Sequence, residues 1–265
     1  MKLKTMILLL LVIITASAAL ACNTVSPKQP TSAAATTAPT PAPKTNSATF
    51  KIIKIAGTDA LLSRVTDDGS DGGLYTLQIQ DTEITRNDGT PAASSDLHNG
   101  MVLSFGYDTV LEMYPSIIQG AGPMQIVDQK DDIISMYLKT VKDLYEQDTG
   151  LNSDISMISL DVTGVNNLSA GDKEALRYLV ANEFALDATL NTYDELVDLG
   201  LIKKNELFFK TGLLYTISDT DISNDSFTFD ISKWRGGDGA IYYENCKATK
   251  TDSRWEYVLG AFAIS

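Results

Sequence analysis

The sequence predicts an α+β fold in two parts: a small antiparallel β-barrel, followed by helices packed on a curved antiparallel sheet. Three observations predict it. Over residues 50–127 the apolar residues recur in short runs separated by Asp-Gly and Asn-Gly turns. Over residues 133–145 the spacing changes to three and four, which places apolar side chains on one face of a helix. From Leu213 onward the chain reads again as strands.

The first element is an export segment, residues 1–21. Lys2 and Lys4 make a basic start, residues 7–14 are an apolar run, and the small residues 16–19 lead to Cys22. That order is the order of a secretory signal. With a cysteine directly after Ala19-Leu20-Ala21, the segment resembles the signal of Gram-positive exported lipoproteins, in which the thiol is lipidated and becomes the first residue of the mature chain. The resemblance implies a palmitate-type anchor on Cys22, a lipid bilayer as partner, and a place on the extracellular face of the cell membrane. Without lipidation the same residues serve as a plain signal peptide or a membrane anchor. No later apolar run approaches the roughly 18 residues that a bilayer-spanning helix requires.

Residues 22–47 are expected to be a disordered linker. They are rich in Ala, Thr, Ser and Pro and show no periodic apolar face. Such a stretch cannot bury enough surface to offset its ordering entropy. Proline keeps it extended, so about 25 residues would span tens of ångströms.

Composition narrows the partners. The chain has 265 residues and a formal charge of −13. Without Lys2 and Lys4 there are 19 basic and 34 acidic residues, a charge of −15. That balance argues against nucleic acid and against an anionic lipid surface. It leaves metal ions, basic peptides and other cationic partners open, and it also serves solubility alone. If Cys22 carries lipid, Cys246 is left without an intramolecular partner. It ends the alternating run 241–246 and is expected to be a buried apolar thiol rather than a nucleophile.

Residues 48–128 form the first expected domain. Strands are predicted over 50–55, 60–65, 74–79, 101–107, 117–118 and 124–127. Turns fall at the Asp-rich stretch 67–73, at Asn87-Asp88-Gly89 and at Asn99-Gly100. The run from Leu97 to Tyr107, followed by Leu111-Glu112-Met113-Tyr114-Pro115, resembles an OB-like barrel family found in Gram-positive lipoproteins. The family carries no assigned activity. With 4 basic and 11 acidic residues, this segment lacks the basic and aromatic interleaving of a strand-binding face, so nucleic acid is not expected.

Residues 129–265 form the second. A helix is expected on the stripe Ile133, Ile134, Tyr137, Leu138, Val141, Leu144 and Tyr145, with Asp131 and Asp132 at its start and Thr149-Gly150 at its end. A strand follows over 155–162. Ser169 and Asp172 cap a second helix, and Thr192 with Glu195 caps a third, ended by Gly200. Residues 207–209 and 213–217 are expected to form a hairpin turning at Thr211-Gly212. Strands over 226–231, 240–246 and 255–262 complete the set. Helices followed by long antiparallel strands look like an NTF2-like or cystatin-like cone, an α+β cone with helices packed on a curved antiparallel sheet. The run from Phe227 to Tyr243 and the closing residues 260–265 also resemble a C-terminal module of clostridial-type exported proteins.

The candidate binding patch is Trp234, Arg235, Asp238, Tyr242 and Tyr243. A tryptophan, an arginine and two tyrosines around the turn Gly236-Gly237-Asp238-Gly239 have the composition of a recognition surface. The glycines themselves sit between strands, without the helix N-terminus that a phosphate site uses. No catalytic residues are expected. His98 is the single histidine and is read as a surface loop residue. One histidine and one unlipidated cysteine do not make a usual zinc site, and no cofactor is implied. The acidic turns 67–72 and 219–225 both depart from the calcium-loop pattern and read as polar turns. Asp161, Glu183 and Asp230 are the acids that a cone interior would gather. The expected function is a non-catalytic binding or docking module for a small ligand, a peptide or an envelope protein. The alternatives are a sensor or inhibitor of a cell-wall enzyme in a stress or antibiotic response, and a carboxylate-dependent hydrolase.

Overall fold

Alternation within β1 builds the first core. In the computed structural model, which describes residues 46–66, 73–79, 82–252 and 254–265, Phe50 and Ile52 of β1 (Asn46–Ala56) are fully buried. The export segment, Cys22, most of the linker and the acidic turn 67–72 lie outside the described residues. Eight further strands complete the first sheet: β2 (Asp59–Val65), β3 (Leu74–Gln78), β4 (Ile84–Arg86), β5 (Pro91–Ala92), β6 (Met101–Tyr107), β7 (Thr109–Leu111), β8 (Ser116–Gln119) and β9 (Met124–Gln129). Their hydrogen-bonded order is β5-β4-β9-β6-β1-β2-β3-β8-β7. Phe50, Leu62, Leu77, Leu103, Phe105, Ile118 and Met124 come from six of these strands and meet in one cluster, so the sheet curls around its own core. It is not wholly antiparallel as expected: β3 pairs β8 and β4 pairs β9 in parallel.

The other face of β1–β3 serves a second core. Register shifts between Ile52 and Lys54, and Ile53 turns away from the first cluster to join Leu61 and Leu74 among residues of the second half. That half contains α1 (Ile133–Tyr145), β10 (Met157–Gly164), α2 (Ala170–Phe184), β11 (Asp187–Thr189), α3 (Tyr193–Asp198), β12 (Gly212–Asp219), β13 (Ser226–Gly236), β14 (Gly239–Thr251), β15 (Arg254–Val258) and β16 (Ala261–Ile264). Both halves belong to one compact unit, residues 42–265.

The helices start where their caps predict. Asp132 Oδ1 accepts from Ser135 N at 3.2 Å, and Ser169 and Thr192 each anchor a capping box. α1 and α2 cover one face of the second sheet, whose order is β11-β10-β12-β13-β14-β15 with β16 also on β14. On the other face Leu196, Ile202, Phe209 and Leu214 form a smaller core with half-buried Trp234.

The expected hairpin of residues 207–209 with 213–217 does not form. Both edges of β12 are already taken, by β10 in parallel and β13 in antiparallel register. Phe209 instead fills the smaller core, and Phe208 makes only isolated bridges to Lys203 and Gly236.

Gly100 joins the halves. Its φ is +87°, and a Cβ there would lie 2.3 Å from the Lys130 carbonyl oxygen. Its own N–H donates to Ile52 and its carbonyl accepts from Lys130, both at 2.8 Å. Only a residue without a side chain fits that approach.

Candidate functional site

Period two divides the predicted patch. Across β13 and β14, Ser232 pairs with Tyr242, Trp234 with Ala240, and Ile231 with Tyr243. Paired residues share a face, so Trp234 and Tyr242 lie on one side of the sheet and Tyr243 on the other. Trp234 packs edge-on against Tyr193 at 5.4 Å, above α3. Tyr243 is buried in the main core, 5.9 Å from Phe262. Arg235 donates to the Leu151 carbonyl at 2.6 Å and the Lys210 carbonyl at 3.2 Å, and it lies over the Phe208 ring. Asp238 is exposed at the tip of the hairpin turn. The patch is therefore three places. Only Arg235 and Asp238 come together, on a hollow of about 370 Å³ that Leu207 and Phe208 help to line.

Other singled-out residues have separate occupations. His98 is exposed, with Nδ1 3.1 Å from the Asp96 carbonyl oxygen. Cys246 is buried, and desolvation pushes its thiol above the ordinary range. It faces inward only because a bulge at Asn245, where φ is +52°, shifts the parity after Tyr243. Asp219 accepts from Asn166 N and from the Tyr137 hydroxyl, both at 2.7 Å, so its carboxylate locks the loop before α2. Asp161 accepts from Thr163, Glu183 pairs with Lys142, and Asp230 accepts from Asn245 N. These three acids do not converge. Among the described residues no group of three His, Cys, Asp or Glu side chains is arranged to hold a metal ion.

A site the sequence did not announce lies between α1 and β15. It is a cleft of about 530 Å³ lined by Asp132, Ser135, Met136 and Lys139 of the helix segment and by residues 254–257 of the strand. The floor is apolar: Met136 and Trp255 are almost fully buried, and Trp255 stacks obliquely on Phe227 at 5.1 Å. Tyr257 closes one end. Its hydroxyl donates to Asp143 Oδ2 at 2.5 Å, the Lys139 ammonium lies 5.3 Å from its ring, and burial reinforced by Asp143 pushes its pKa well above the ordinary tyrosine value. The indole Nε1 of Trp255 is buried without an acceptor. Such a donor costs about 1–3 kcal/mol while it is unpaired. Arg254 and Glu256 stand exposed at the rim. A second hollow, of about 560 Å³, adjoins through Asp132 and Arg254 and reaches His98 and Asp252.

Comparison with protein-family models and with curated proteins returns no match. The signal for the cleft was present but local to each element. Trp255 and Tyr257 alternate with Arg254 and Glu256, while Met136 lies on the predicted helix next to Tyr137 of its stripe. Nothing in the spacing says that the two elements meet.

Proposed function

We propose that this chain is a membrane-tethered extracellular binding protein, anchored by lipid on Cys22, that takes a ligand in the cleft between α1 and β15. The observation that carries the reading is that cleft: an apolar floor of Met136 and Trp255 with a few polar groups at the rim. Pre-formed hollows of several hundred Å³ with that lining are where ligands bind. In this reading the curled first sheet is an OB-like barrel acting as spacer or docking module, and the second half is an NTF2-like or cystatin-like cone. No step of the reading needs a catalytic group. Docking on an envelope protein, as sensor or inhibitor, is favoured by one separate feature: Val258 and Ile264 near the chain end are 72% and 60% exposed.

One protein tests both parts. The Cys22→Ala chain should move from the membrane to the soluble fraction, and retention on the membrane ends the tether reading. Titrated calorimetrically with a panel of small apolar and aromatic fragments, the soluble chain should bind some of them. Ser135→Trp, placed on an exposed rim position, should abolish that binding. Failure of both fragments and short peptides to bind, or binders indifferent to Ser135→Trp, ends the cleft reading.

A further inference from the structure

β15 is the last strand of its sheet. Among the described residues its backbone bonds no strand except β14. A strand in that position turns every second N–H and C=O outward, a template for another strand. The cleft is lined by all four consecutive residues 254–257, including members of both faces: Trp255 and Tyr257 toward the core, Arg254 and Glu256 away from it. Residues of both faces meet in one hollow where it reaches the strand's edge. The cleft thus has α1 on one side and, on the other, a strand whose outer edge no described strand pairs.

Resting on the cleft reading above, we infer that the occupant is an extended peptide added to β15 as a further strand, with alternating apolar and basic side chains. Backbone bonds to the free edge would supply register. Side chains on the core-facing set would enter the cleft beside Met136 and Trp255, where apolar groups are matched. The other set would lie along Glu256 and Arg254, where a basic side chain is matched beside the exposed Glu256 carboxylate. Neither proline nor lysine blocks the edge of β15, whose protection is limited to its length of five residues and the charges of Arg254 and Glu256.

The test uses short capped peptides alternating Lys with Leu, Val or Phe, of about the 5–6 residues of an ordinary strand. They are titrated into the full-length protein and read by calorimetry and by amide exchange across β15. Binding is expected, with slowed exchange at β15 and loss of about tenfold or more in affinity in Ser135→Trp. N-methylation at alternate peptide positions should cost about tenfold in one register and little in the other, because only one set of N–H groups faces the edge. Fragments that bind where no peptide does, or peptides indifferent to N-methylation in both registers, overturn the strand inference and leave the cleft reading standing. If neither fragments nor peptides bind, both fall. A protein already dimeric by sedimentation, with β15 protected in the absence of peptide, also overturns it, because a second copy then holds the edge.

Discussion

Lys233 is fully buried on β13, at the inward position after Phe227, Phe229 and Ile231. Its ammonium donates to the carbonyls of Tyr145, Gln147 and Asp148 and to Asn152 Oδ1, closing the C-terminal end of α1. Of these carbonyls that of Tyr145 belongs to the helix end, which is left slightly negative, and the others belong to the turn that follows. Desolvation lowers the lysine pKa to about 8, against a smaller raising effect from Asp148. The folded protein thus releases this proton near pH 8 while the unfolded chain keeps it to the ordinary lysine value. Between those two values the unfolded state binds more protons, so this group makes stability rise with pH. Lys233→Met should cost about 2 kcal/mol near neutral pH by stranding the carbonyls. It should also flatten the rise in denaturant midpoint between pH 7.5 and 9.5. An unchanged slope in the variant would remove Lys233 as its source. The strand predicted over 226–231 stopped short of Lys233, which the longer β13 carries inward. Its partners were not legible, because they lie on the turn that follows another element.

Between elements, α2 is held from the first sheet by two polar contacts. Lys51 Nζ donates to Asp172 Oδ1 at 2.9 Å with both side chains about nine-tenths buried, and Asp172 is also the capping-box acid of α2. Tyr114 donates to Glu174 and accepts from Arg177 at 2.7 Å, and burial with Glu174 pushes the Tyr114 pKa up to about 12. Removing one member of a buried pair leaves an uncompensated charge, which costs about 3–5 kcal/mol. Lys51→Met should lose that much by chemical denaturation. Adding Asp172→Asn should lose less than the sum of the two single changes, and strict additivity would deny the coupling. Caps such as Ser169 and Asp172 were readable because they are local. The parallel pairs of β3 with β8 and β10 with β12, and the cleft itself, were not, because they depend on which distant segments the fold brings side by side.

At the scale of the molecule, Ile53, Leu61 and Leu74 of the first sheet stand in the same core as Leu144, Leu176 and Tyr215. With that core shared and Gly100 bonded to both halves, residues 46–265 should melt in a single calorimetric transition whose van't Hoff and calorimetric enthalpies agree. Two separable transitions would show that the sheets are thermodynamically independent. The period changes along the chain marked out two halves and their order. They did not show that one face of β1–β3 belongs to the second half, because that depends on a one-residue register shift after Ile52.

β1 enters the described structure at Asn46 and runs at once into the middle of its sheet, paired with β6 from its first residue and with β2 from Thr49. Mechanical load arriving at Asn46 along the strand meets two ladders in shear, and their bonds must yield together rather than one after another. Under the proposed N-terminal tether the pull falls on a strand clamped at both edges, while the cleft proposed to take the ligand lies at β15, on a different sheet.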